Sequence, residues 1–139
     1  MDIEALKDSL ISDEGIRFKP YRCTAGKLTV GIGRNLDDRG LSLKEIMFLF
    51  ENDVSEVVEC LEKKLPFWNK LNSPRQEVLI NMAFNLGVEG LLNFKKTIEA
   101  ISHENFDKAS AEMLRSKWAT QVGKRANRLS EIMRDGQRR

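Results

Sequence analysis

The stretch from Asp13 to Leu36 constrains the fold most, because hydrophobic periodicity changes there from helical to alternating. Apolar residues from Ile3 to Ile11 recur at helical spacing, and the pattern stops near Gly15. Phe18-Lys-Pro-Tyr21 then reads as extended chain, Thr24-Ala-Gly26 as a turn, and Leu28-Thr-Val-Gly-Ile32 as a returning strand. A helix end thus delivers the Glu14 carboxylate beside a hairpin that carries the Cys23 thiol and the Thr29 hydroxyl. Acid, potential nucleophile or base, and hydroxyl fall within sixteen residues. Spacing alone leaves Glu14 with two readings. It is either an acid kept protonated by desolvation against an apolar wall, or a solvated carboxylate at a helix end.

With 139 residues, 41% of them hydrophobic and 32% charged, the chain is one domain's worth, long enough for a real core and two lobes. This composition excludes a disordered tail. A net charge of +2 argues for no particular partner. From Arg115 to Arg139, however, eight Lys and Arg face only Glu131 and Asp135. That end either attracts a polyanion or is a solvated helix face. It carries no recognised reader motif, so a nucleic-acid partner is not expected. Cys23 and Cys60 lack metal-ligand spacing, and the single histidine, His103, sits in a Ser-His-Glu-Asn connection. No metal and no cofactor are expected. The two thiols leave open a disulfide or two free cysteines. Met-Asp-Ile-Glu-Ala-Leu-Lys lacks the apolar run of a signal peptide, and no stretch approaches transmembrane length. The expectation is a monomer held in the cytoplasm, without membrane insertion.

After the polar turn Asp37–Gly40, Ser42 and Glu45 have capping-box spacing. From Leu43 to about Lys63, Ile46, Phe50, Val54, Val57 and Leu61 form a helical stripe, widened by Met47, Leu49 and Val58. Core packing is the expected use of that stripe. Ser73-Pro74 opens another helix, with Ser73 as N-cap, and Gly87 closes it. Short helices follow over 88–93, 95–101, 105–114 and 124–133, with Phe106, Ala109 and Met113 inward. The fold class is α+β, mostly helical. An N-terminal lobe of about 12–45 bears the hairpin, a connecting helix runs over about 42–63, and a helical C-terminal lobe of about 64–139 packs with helix 1–12. A substrate cleft is expected between the lobes.

Asp13-Glu14-Gly15-Ile-Arg-Phe-Lys-Pro-Tyr21 and Thr24-Ala-Gly26-Lys-Leu-Thr29-Val-Gly31-Ile-Gly33-Arg-Asn-Leu36 resemble the active-site hairpin of the T-even phage lysozymes, glycoside hydrolase family 24. Leu79-Ile-Asn-Met-Ala-Phe-Asn-Leu-Gly87, Arg115-Ser-Lys-Trp118 and Lys124-Arg-Ala-Asn-Arg128 are similar to that family's C-terminal lobe, in the same order. The resemblance implies a lysozyme-like two-lobed fold. It also implies an endolysin that hydrolyses the β-1,4 bond between N-acetylmuramic acid and N-acetylglucosamine of peptidoglycan and so lyses its host. A holin would release it from the host cytoplasm to the periplasm and wall. By the same resemblance Glu14 is the general acid, Thr29 helps hold the attacking water, and Arg125 contacts the acid. Phe84, Asn85, Asn35 and Thr97 fall at substrate-binding positions, with Asn85 in place of a longer glutamine. Each of these four also has a local reading as a cap or a solvated side chain.

Cys23 is the departure, because the best-known family motif has Asp there. An unperturbed thiol is only a few per cent ionised at neutral pH. Three readings stay open: a nucleophile or base of adjusted pKa, a weaker stand-in, or an impaired enzyme that only binds peptidoglycan. A lytic transglycosylase, leaving an anhydro product, is the remaining alternative, and a water-holding Thr29 argues against it.

Overall fold

A computed structural model describes all of residues 1–139. It divides into two compact units, Met1–Phe50 and Glu51–Arg139.

In the first unit, helix α1 spans Ile3–Glu14. Asp2 caps its start, accepting from the Ala5 amide at 3.0 Å. Gly15, at φ 75°, ends it with an amide bonded to the Ile11 carbonyl. Strands β1 (Arg17–Arg22), β2 (Leu28–Gly31) and β3 (Arg34–Asn35) form an antiparallel sheet in that order. Tyr21 pairs with Thr29 and Thr29 with Asn35, so Thr29 sits in the central strand. The third strand was not expected from the sequence: two residues are too few to show an alternating pattern.

Helix α2 spans Leu43–Lys64, and the unit boundary falls inside it. Its capping box forms as the spacing predicts. The Ser42 amide donates to Glu45 Oε1 at 2.8 Å, and the Glu45 amide to Ser42 Oγ at 3.2 Å. Core packing of the α2 stripe holds at its end, where Val57 packs against the core, and is corrected for its first half. Leu61 is buried, whereas Ile46, Met47, Leu49 and Phe50 remain 43–49% exposed. A unit of fifty residues has too little interior to cover such a stripe. Its one buried residue is Thr29.

The second unit holds the core. After a 3-10 turn at Trp68–Lys70 come α3 (Ser73–Leu92), α4 (Lys95–Ser102), α5 (Phe106–Arg115), α6 (Lys117–Val122) and α7 (Lys124–Asp135). Leu79, Met82, Leu91, Ile101, Met113, Leu129 and Met133 are fully buried among them. The α3 cap lies one residue earlier than the sequence indicated: Asn72, not Ser73, accepts from the Arg75 amide at 3.1 Å. Either residue type caps well, so local preference does not separate them. Gly87 breaks α3 with φ 77° and ψ 158°, which makes Val88–Leu92 a separate short segment, as expected. Helix α6 was unforeseen, although Ser116 caps it by accepting from the Ala119 amide at 3.2 Å. Its six residues are too short for periodicity to register. Both cysteines are free. No helix is long and apolar enough to cross a membrane.

Candidate active site

The hairpin assembles the site from three local features. Glu14 is the last residue of α1, and its side chain is exposed rather than set against an apolar wall. It lies over Gly33 in the turn joining β2 to β3. A Cβ built on Gly33 would stand 2.9 Å from Glu14 Oε2 and 3.1 Å from Cδ. Gly33 also holds φ 70°, where a side chain costs energy. The bare backbone at position 33 is therefore what leaves room for the carboxylate. In the sequence Gly33 carries no local signal of this role, because Glu14 lies nineteen residues away.

Cys23 sits at the turn of the β1–β2 hairpin. Its amide donates to the Lys27 carbonyl at 2.9 Å, and its carbonyl accepts from the Gly26 amide at 2.8 Å. This tight turn directs backbone hydrogen bonds from Lys27, then Ala25, onto the sulfur. They hold the thiol pKa below its ordinary value, with a smaller contribution from the Thr29 hydroxyl and partial opposition from burial. Thr29 is 4% exposed, and its hydroxyl is 2.9 Å from the Lys27 carbonyl. A hydroxyl has one proton, so Thr29 donates either to that carbonyl or to the sulfur. Ionisation of Cys23 favours the second arrangement, and in either one the lone pairs of the Thr29 oxygen remain to accept.

Asn35 is spent locally. Its Nδ2 donates to Asp38 Oδ2 at 3.0 Å, and its Oδ1 accepts from the Asp38 amide at 2.9 Å. Arg34 ties β3 to the start of α2 through an ion pair with Glu45 and a 3.3 Å bond to the Gly40 carbonyl. The Arg34 guanidinium, helped by the Ser42 amide and hydroxyl, lowers the Glu45 carboxyl to about 2.

The remaining residues lie in the second unit. Arg125, from α7, places its fork on Asn81 of α3. Nε donates to Oδ1 at 2.9 Å, and Nη2 donates to Oδ1 at 2.7 Å and to the Asn81 carbonyl at 3.2 Å. Asn81, as the partner of Arg125, was not anticipated from the sequence. Its signal in the sequence is a polar side chain inside the apolar run Val78–Leu86. Asn85 Oδ1 accepts from the indole Nε1 of buried Trp118 at 2.7 Å, which leaves the Asn85 amide nitrogen available. Phe94 meets the same indole edge-on, centroids 6.0 Å apart. Phe84 is 40% exposed, and Thr97, at 2%, lies in the wall of a groove with Lys95, Lys96 and Arg115.

Residues 12–135 match the family model described as phage lysozyme. The chain belongs to the phage lysozyme family. It is accordingly a glycoside hydrolase, and the resemblance carried by the hairpin and the α3 motif holds across the chain. Among curated relatives, the chain is 29% identical to "Probable T4-type lysozyme 2" of Dictyostelium discoideum, over 96% of each chain. It is 28% identical to the "Pre-baseplate central spike protein Gp5" of Enterobacteria phage T4, over 95% of this chain and 28% of that protein. It is 27% identical to an "Endolysin" of Acyrthosiphon pisum secondary endosymbiont phage 1, over 81% of this chain and 77% of that one.

Proposed function

We propose that this phage-type lysozyme is an endolysin that hydrolyses the β-1,4 bond between N-acetylmuramic acid and N-acetylglucosamine in peptidoglycan. Glu14 donates its carboxylic proton to the leaving glycosidic oxygen. The Cys23 thiolate takes a proton from a water held by the Thr29 oxygen, and that water's oxygen bonds to the anomeric carbon as the glycosidic bond breaks. The step ends with a Glu14 carboxylate and a Cys23 thiol, and solvent restores both protonation states. The observation that carries the reading is the hairpin turn that closes around Cys23, with its amide on the Lys27 carbonyl and its carbonyl on the Gly26 amide, and holds the thiol pKa below its ordinary value. On the second unit, Phe84 and the free amide of Asn85 are the substrate contacts we retain. The Asn35 side chain is already engaged, and Thr97 lies in the wall of a separate groove with Lys95, Lys96 and Arg115.

Attack by water inverts the anomeric centre, whereas attack by sulfur would retain it. NMR of the first product from purified peptidoglycan decides this. An inverted reducing end supports Cys23 as base, retention makes it a nucleophile, and an anhydro-muramic end would overturn hydrolysis altogether. Glu14→Gln and Cys23→Ser should each lose at least about a hundredfold in turnover. Wild-type protein that binds walls without turnover would leave only a binding role. The proposed biological setting is the host cytoplasm before holin-mediated release and the wall after it. Host cells expressing the chain should lyse only when a holin is co-expressed.

A further inference from the structure

The second unit carries a groove of about 530 Å³ that none of the proposed catalytic or sugar-binding side chains lines. Leu65, Phe67, Leu92 and Ile98 make its wall apolar. Lys64 from the last turn of α2, Lys70 from the 3-10 turn and Lys95 from the start of α4 stand around it, opposed by Glu99 alone. Lys63, next door, spends its charge on Glu59 at 3.1 Å, whereas Lys64, Lys70 and Lys95 make no ion pair. A second groove, also about 530 Å³, shares Lys95 and adds Lys96 and Arg115, the latter paired with Glu112. Positive charge therefore continues around the start of α4.

We propose that this groove docks the protein on an anionic phospholipid surface, taking a headgroup phosphate among Lys64, Lys70 and Lys95 and the adjoining hydrocarbon against Leu65, Phe67, Leu92 and Ile98. The volume suits a small ligand. The ammonium groups call for an anion, and the wall gains by covering hydrocarbon. One amphiphile supplies both, whereas a free phosphate or a peptide carboxylate satisfies only the lysines. The negative potential of an anionic leaflet draws clustered lysines to its surface.

The test is flotation of the full chain with vesicles of phosphatidylglycerol and phosphatidylcholine, against phosphatidylcholine alone. Wild type should float with the anionic vesicles only. The triple substitution Lys64→Gln, Lys70→Gln, Lys95→Gln should bind roughly a hundredfold more weakly, at about fivefold per lysine. It should fold normally, since all three side chains are exposed, and hydrolyse isolated walls at the wild-type rate. A charge-matched control, Lys108→Gln, Lys124→Gln, Arg128→Gln, should keep its vesicle binding within about threefold. Equal loss in both triples would reduce the effect to net charge and overturn the groove. Failure of wild type to float would overturn membrane docking. Displacement by glycerol phosphate at concentrations matching the lipid headgroups would make the site one for free phosphate. Loss of wall-peptide binding in the groove triple, without loss of flotation, would make it a substrate subsite. Wall hydrolysis is read separately, so a failure here is distinct from a failure of the lysozyme reading.

Discussion

A methyl group at position 33 would enter space that the Glu14 carboxylate occupies, 2.9 Å from Oε2. Gly31, the last residue of β2 and at φ 69°, has nothing within 4 Å of an added Cβ. The two positions separate backbone strain from collision with the acid. Gly31→Ala and Gly33→Ala should each cost about 1–2 kcal/mol in urea unfolding, the ordinary penalty for a side chain at positive φ. Only Gly33→Ala should also lose turnover, by about tenfold or more, because it displaces the acid. Equal activity losses in the two would deny Gly33 a positioning role. Cys23 makes a second prediction at this scale. A carboxylate ionises near 4 and a thiol near 8.5, lowered here by the turn amides. Cys23→Asp should stay active while the acidic limb of its pH–rate profile moves down by roughly two units or more. An unmoved limb would mean that the residue at 23 is not the base.

At the scale of elements, the structure is held by polar side chains that join helix ends and strands. Glu45 serves both the α2 capping box and the Arg34 ion pair, and its carboxyl falls to about 2. A depressed carboxylate contributes stability that is complete above its unfolded value, near 4.3, and lost as pH falls toward 2. Wild type should therefore lose urea resistance between about pH 5 and pH 2 more steeply than Glu45→Gln, and the two curves should converge at the acid end. Parallel curves would remove the pair from the pH dependence. Arg75 does comparable work at the end of α7. Its Nε donates to the Met133 carbonyl at 2.7 Å and its Nη2 to the Arg134 carbonyl at 2.8 Å, while its guanidinium lies 3.5 Å from the Phe106 ring centroid. Arg75→Met should cost about 2–3 kcal/mol in thermal or urea unfolding. Arg75→Lys should recover little of it, because an ammonium lacks the planar fork.

Across the whole molecule, burial is unequal. Every buried apolar residue lies at Leu61 or beyond, while the first unit, Met1–Phe50, buries only Thr29. Local opening free energy follows buried contact, so amides of β1 and β2 should exchange with solvent faster than those of α3, α5 and α7 under native conditions. Equal protection in both units, measured by hydrogen exchange, would contradict that ordering. The hairpin that carries Cys23 and Thr29 is thus in the less protected part of the chain.

What the chain determined by itself is local. Helical and alternating periodicities marked α1, the hairpin, α2 and most of the C-terminal helices, and the spacing of Ser42 and Glu45 announced their cap. Such signals survive in one dimension because the partners lie three or four residues apart. The hairpin also made the acid, thiol and hydroxyl legible as a group, since they share one short stretch. Tertiary structure decided which polar side chains are used up on one another. Arg125 meets Asn81 across 44 residues, Trp118 meets Asn85 across 33, and Glu14 rests over Gly33. Whether the α2 stripe was buried depended equally on what the rest of the chain brought near it, and Ile46, Met47 and Phe50 stayed exposed. A residue's type states what it can donate, accept or bury; only the folded path states what lies within reach.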